Sequence, residues 1–379
     1  MRFFHLSDLH LGKRINEVSM LDDQMDILQK IVVLAKAHKP GAVLIAGDVY
    51  DKSMPTVEAV QLLDRFLVWL NELDISVFMI SGNHDSVERV AFGADLLKNS
   101  NVHIVQAYRG CLTPISLSDE HGNLNVWMLP HLKPALVRRH FPEKEIVTHT
   151  DALRVALSNT ALDSSMRNIL IAHQFVTGAE TSESEELYIG GSENVDASLF
   201  DVFDYVALGH LHRPQHIGRE TLRYCGTPLK YSFSEMNDTK SITIVDMGGK
   251  GDISISVLPL YPNHEMREIR GTYNELMNRD HYRGTNTDDY VRIVLTDEHE
   301  ESEARRKLEM VYPNLMCLEY DNKRTKAAST FRTAVSTEKK TPTQLFGEFF
   351  ELQNGQPMNS EQAEYVEKLF NDIFEEANA

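Results

Sequence analysis

The chain is predicted to be an α/β protein built on a layered core, and two observations predict it. Apolar strand-like runs alternate with amphipathic helix-like segments from Arg2 to Ile80, in the order β-α-β-α-β. Five strand-like runs also end abruptly in aspartate, asparagine or histidine, as an open α/β sheet does where it presents a site at the carboxyl ends of its strands. The run Ser76 to Ile80 leads to Gly82-Asn83-His84-Asp85, Arg2 to Leu6 to Asp8 and His10, and Ala42 to Ala46 to Gly47-Asp48. Asn168 to Ala172 leads to His173, and Asp204 to Leu208 leads to Gly209-His210-Leu211-His212.

Taken in order, the first helix is expected from about Ser19 to Lys36, with Leu21, Met25, Leu28, Val32 and Ala35 on its inward stripe. Lys39-Pro40-Gly41 stops it, and a second helix is expected from about Thr56 to Glu72 with Leu63, Phe66, Leu67 and Leu70 inward. From Asn101 the pattern turns to strands, Val102 to Val105 and Asn125 to Leu129, with His121-Gly122-Asn123 as a turn. Helical character returns from about Asp151 to Ala161, and Glu180 to Glu186 reads as a mobile acidic loop beside the site. Leu222 to Cys225, Ser241 to Val245 and Ile253 to Leu258 complete a second sheet layer that closes the first domain, residues 1–260.

Residues 261–321 read as a small α+β unit, with strands at His264 to Gly271, Asp289 to Thr296 and Leu315 to Tyr320 and a helix near Ser302 to Val311. Residues 322–340 lack apolar periodicity and carry several lysines and arginines, as a linker does. Thr341-Pro342-Thr343-Gln344 has the form of a capping box opening the first of two C-terminal helices, residues 341–379. Those helices are rich in phenylalanine and either fold back or grip another protein.

The totals set limits. At 379 residues the chain is long for one core, so more than one domain is expected. Its 42% hydrophobic and 25% charged residues suit a soluble globular protein, no run reaches the length of a membrane helix, and Met1 to Leu11 reads as a strand rather than a signal peptide. A cytoplasmic location without membrane contact is expected. Cys111, Cys225 and Cys317 are odd in number and widely spaced, which suits reduced thiols, and no role is assigned to them. A net charge of −18 repels phosphate polymers at long range unless metals, a local basic patch or a partner offset it.

The chemistry lies in the strand ends. Residues two apart on an extended strand face the same way, so Asp8 with His10, and His210 with His212, can each close on one point. Asp8, His10, Asp48, Asn83, His173, His210 and His212 offer carboxylate, amide and imidazole without thiolate, a set that suits manganese, iron, zinc or magnesium. Seven ligands are too many for one ion, so a pair sharing one carboxylate is implied, with hydrolysis of a phosphate ester as its reaction. His84 is expected to point away from the ligand cluster as a general acid or charge stabiliser, and Asp51 and Asp85 are candidate orienting groups. The remaining histidines are read as ordinary satisfied or exposed side chains.

In order and type these strand-end motifs resemble the motif set of the calcineurin-like metallophosphoesterases. The opening Phe3 to Gly12, Tyr205 to Gln215 and Gly226 to Glu235 further resemble the SbcD-type nucleases of bacteria. The resemblance implies a four-layer core of two sheets flanked by helices, a small capping domain and C-terminal helices. It implies that Asp8, His10, Asp48 and His212 bind one ion and Asp48, Asn83, His173 and His210 the other, with Asp48 bridging and His84 near the leaving group. It further implies manganese, with magnesium as a substitute, and a homodimer acting on DNA in recombination, replication and end processing. The partner it implies is the SbcC ATPase, in a heterotetramer of two copies each, expected to cut duplex ends with ATP and single strands or hairpins endonucleolytically. Asp51 stands where many relatives outside the bacterial branch have histidine, so no second catalytic histidine is expected there. A small-molecule phosphodiesterase or protein phosphatase with the same site, and a scaffold with a vestigial site, are the alternatives.

Overall fold

In a computed structural model that describes residues 1–185, 194–322, 342–354 and 357–377, the alternation of strands and helices yields two six-stranded mixed sheets. The first runs Ile253–Pro259, Ser241–Met247, Arg2–Leu6, Ala42–Ala46, Ser76–Ile80, Val102–Ile104, so two strands expected in the second layer instead extend the first sheet by antiparallel pairing with Arg2–Leu6, a placement that apolar pattern alone does not fix. Its last four strands are parallel because helical crossovers return the chain to the same end each time. The second runs Gln215–Ile217, Arg219–Tyr224, Tyr205–Gly209, Arg167–His173, Gly122–Leu129, Ile115–Asp119, parallel in its four central strands.

The sheets face each other across Phe3, Leu44, Phe78, Val126, Ile169 and Ala207, all without exposure. Trp127, Leu170 and Leu208 on the far face of the second sheet pack on Leu153 and Ala156 of the helix His149–Ser158. Helices Leu21–His38 and Val57–Asn71 bury one face each in the first half of the chain, completing a helix–sheet–sheet–helix stack. Each of these large apolar side chains contributes about 1.5–3 kcal/mol on burial.

Local sequence explains the helix ends. Asp22 and Asp23 sit in the first turn and Lys36 and His38 in the last, complementing the helix dipole, and Lys39 closes the helix in a left-handed conformation. Thr56 caps the next helix by accepting from the Ala59 amide at 3.3 Å. The inward stripe of the first helix differs from the expected one: Gln24, Ile27, Leu28, Ile31 and Ala35 are buried, and Met25 and Val32 lie at the edge. A buried glutamine displaced the stripe because its amide serves the site loop, as described below. The predicted turn at His121 joins a strand not foreseen, Ile115–Asp119, whose alternating half-exposed residues mark the sheet edge.

The chain divides into two units, Met1–Arg267 and Glu268–Ala379. The second holds a three-stranded sheet of Met266–Gly271, Tyr290–Leu295 and Leu315–Tyr320 around a core of Leu276, Val291, Ile293, Leu308 and Tyr312. Its helices Pro342–Asn354 and Ser360–Ala377 bring Phe346 and Phe370 together at 6.1 Å between rings. The predicted linker beyond Asn322 and the capping threonine at 341 lie outside the described residues. Among the described residues no helix is long and apolar enough to cross a membrane.

Far from the strand ends that carry the site, Arg167 ties the two sheets. Only 3% exposed, it donates to both oxygens of Asp119 at 2.6 and 3.1 Å, and to the carbonyls of Gly122 and of Gly248 just past the first sheet. Hydrogen bonding to Arg167 holds the Asp119 carboxyl far below its usual range. Arg167→Ala is expected to lower the unfolding free energy by about 3 kcal/mol in urea titrations. Because the folded-state pKa of Asp119 is depressed, its share of that contribution is complete above about pH 4 and fades as pH falls further, so the gap between wild type and variant narrows in acid while the bonds to backbone carbonyls persist.

Candidate metal centre

The carboxyl ends of parallel strands from both sheets meet at one place, and the backbone there is forced into uncommon shapes. Asp8, His10, Asp48 and His210 have φ of 52°, 44°, 47° and 107°, left-handed values that cost about 1–3 kcal/mol each in non-glycine residues and cluster at functional sites. Two glycines permit the approach. A Cβ on Gly82 would collide with the Asp48 carboxylate, and one on Gly209 with the Ala46 carbonyl. Asp85 then clasps the two loops, accepting from the amides of Val49, Tyr50 and Gly82 at 2.9–3.0 Å. Burial pushes its carboxyl up to about 6 against those hydrogen bonds.

Asp48, 2% exposed, lies at the centre. Its Oδ2 is 3.4 Å from His173 Nε2, 3.8 Å from His10 Nε2 and 3.9 Å from His84 Nε2, and its Oδ1 accepts from the His84 amide at 3.0 Å. On one side, Asp8, His10 and His212 bring ligand atoms within 4.8 Å of one another, and the two Nε2 atoms of His10 and His212 stand 3.2 Å apart. On the other, Asn83 Oδ1 is 2.9 Å from His173 Nε2 and 3.0 Å from His210 Nδ1. All seven predicted ligand residues therefore share one cluster, and His84, expected to point away from it, instead brings its ring within 3.9 Å of Asp48 and edge-on to His10.

These contacts suit a cation. The Ala46 carbonyl can only accept, so the His173 Nδ1–H donates to it at 2.8 Å, leaving the Nε2 lone pair facing the Asn83 oxygen. Two acceptors at 2.9 Å call for a positive charge between them. Without an ion a proton serves: burial would lower His173, yet the Asp48 carboxylate raises it to about 9. Asp48 behaves conversely, held well below its usual range by His173 despite burial. Burial pushes Asp8 up to about 6 and keeps His10 and His210 well below the imidazole range. The buried atoms His10 Nδ1 and His210 Nε2 have no hydrogen-bond partner. Such a set fits divalent metal.

The centre opens on a cavity of about 630 Å³ lined by Lys13, Lys52, Asn83, His84, His131 and Lys133 among others. His84 Nδ1 meets the Asp51 carbonyl at 3.0 Å, and the Asp51 carboxylate pairs with Lys13 at 2.8 Å and lies 3.7 Å from His10 Nδ1. Several contributors were not singled out in the sequence. Gln24 donates to the His10 carbonyl at 2.7 Å and to Tyr231, whose hydroxyl donates to the Leu9 carbonyl, so the strand-end loop is held from behind. His131, read as an ordinary histidine, packs edge-on to His173, and burial pushes it down to about 3. Ser184 and Glu235 stand behind His212. No spacing rule marks these residues, since they come from one helix and three separate connecting segments far apart in sequence.

A family model for calcineurin-like phosphoesterases matches residues 1–214, and one for a type 5 capsule protein repressor C-terminal domain matches residues 262–354. The nuclease component SbcD of the SbcCD complex of Staphylococcus epidermidis is 35% identical over 322 residues, 84% of this chain and 85% of that protein. Among solved structures, a dimetal phosphatase from Danio rerio shares 11% identity at a TM-score of 0.40, over 68% of this chain and 95% of that one. TT1561 of Thermus thermophilus shares 12% at 0.38, over 68% and 98%. By motif, architecture and likeness across most of its length, the chain belongs to the calcineurin-like phosphoesterases, in the family of the SbcD nucleases.

Proposed function

We propose that this protein is a DNA nuclease in which Asp8, His10, Asp48 and His212 hold one divalent ion and Asp48, Asn83, His173 and His210 the other. Manganese is the proposed ion, with magnesium as a substitute. The observation that carries this reading is the convergence on buried Asp48 of imidazole nitrogens and the Asn83 oxygen, with acceptor facing acceptor across 2.9 Å. Held by these residues, a metal pair would supply an activated water and charge neutralisation for the phosphoryl oxygens of an in-line displacement. The protein's own part is to hold and to move a proton. His84 Nδ1–H is anchored on the Asp51 carbonyl, which turns Nε2 toward the cavity, where a proton on Nε2 can pass to the leaving oxygen.

Lys13, Lys52 and Lys133 line the same cavity and form the local basic patch that a chain of net charge −18 needs to draw in a phosphodiester backbone. Further attraction comes from a partner. In this reading the chain works as a homodimer with two copies of the coiled-coil SbcC ATPase, in the cytoplasm, on duplex ends, hairpins and single strands. Phe346, Phe349, Tyr365 and Leu369, exposed on the C-terminal helices, supply the docking surface.

Three outcomes are expected. Asp48→Ala should lose paired metal binding and manganese-dependent cleavage of plasmid DNA together; manganese-dependent cutting that survived would remove Asp48 from the bridging role. His84→Ala should keep both ions, counted by metal analysis, and cut about 10²–10⁴-fold more slowly. Digestion of linear duplex should require added SbcC and ATP, and deletion of residues 341–379 should abolish that digestion while cleavage of a simple nucleotide phosphodiester continues.

A further inference from the structure

Behind His212 lies a polar chain that the hydrolytic chemistry does not require. Glu235 has no solvent exposure and Lys240 only 2%, and they pair at 2.5 Å. A buried ion pair is weak evidence for stability, because desolvation offsets most of the attraction. Its connections point instead to the metal centre. Lys240 also donates to the His212 carbonyl at 2.8 Å, and Glu235 Oε1 receives the Ser184 hydroxyl at 2.5 Å. Ser184 Oγ in turn stands 2.7 Å from His212 Nδ1.

Donor rules decide the direction of this chain. An ionised carboxylate can only accept, so Ser184 gives its one proton to Glu235. The Ser184 oxygen must then accept from the His212 Nδ1–H, and His212 Nε2 is left bare, 3.2 Å from His10 Nε2. The loop that carries Ser184 is fastened on both sides. Glu185 accepts from the His212 amide at 2.7 Å, and the Glu183 amide donates to Ser234, next to Glu235, at 3.1 Å.

We propose that Glu235 is a positioning residue which, through the Ser184 hydroxyl, locks the His212 ring with Nε2 toward the metal centre, so that the seated Ser182–Glu185 loop sets the affinity for one ion of the pair. Groups behind a metal-bound imidazole fix its tautomer and ring orientation, and their loss typically weakens metal binding about 10–100-fold. The proposal rests on the reading of His212 as a ligand.

Manganese titration of the full-length chain, followed by electron paramagnetic resonance and calorimetry, tests it with wild type, Ser184→Ala, Ser184→Thr, Glu235→Gln and His212→Ala. Ser184→Ala and Glu235→Gln should each weaken one manganese of two about 10–100-fold and leave the other unchanged. Ser184→Thr, which keeps the hydroxyl, should restore wild-type binding, and the double Ser184→Ala, Glu235→Gln variant should bind no worse than the weaker single variant. If Ser184→Ala binds both ions as wild type does while His212→Ala loses one, the positioning role is wrong and the ligand reading stands. Unchanged binding in His212→Ala would remove the ligand reading and this inference with it. Should Glu235→Gln fail to fold with Lys240 left unpaired, the Ser184 arm decides alone, because that hydroxyl borders the cavity.

Discussion

A carboxylate taken out of water and surrounded by imidazoles is the constraint on which the rest of this structure depends. Asp48 cannot stay ionised at 2% exposure without positive charge nearby, and the protein supplies ring nitrogens from both sheets to share that burden. The same arrangement would repel itself if every imidazole were charged; burial holds His10 and His210 well below the imidazole range, while the Asp48 carboxylate raises His173. The cluster is thus poised for cations, and its charge state is a property of the group rather than of any one residue.

The architecture serves this requirement. Parallel strands deliver their polar ends to one edge, and packing the two sheets face to face brings Asp8 and Asp48 from one within reach of His173 and His210 from the other. The approach is so close that glycine is needed at positions 82 and 209, and four ligand-candidate residues take left-handed backbone angles. Hydrogen bonds next to these residues hold the loops in place: Asp85 across two of them, and Gln24 and Tyr231 behind the first strand end.

Electrostatics of the whole chain bears on its biology in the same way. A strongly acidic protein that cleaves DNA needs positive charge where a phosphate enters; three lysines line the cavity, and the partner proposed here would supply wider contact. The apolar side chains exposed on the C-terminal helices are consistent with that division of labour.

Sequence alone determined the strand–helix alternation, because parallel strands buried on both faces must be continuously apolar and crossover helices amphipathic. It also marked the strand ends whose polar side chains the structure gathers into one cluster, since a run such as Gly82-Asn83-His84-Asp85 has no use in a core. Only tertiary structure decided the facing of the first helix, where Gln24 turned inward for hydrogen bonds to a loop fourteen and fifteen residues earlier. It alone decided that His131 joins the cluster and that Ser184 and Glu235, 51 positions apart in sequence, stand behind His212. The reason is physical: periodicity records what a residue does relative to its neighbours in sequence, whereas hydrogen bonds between loops depend on where two independently folded sheets come to rest against each other.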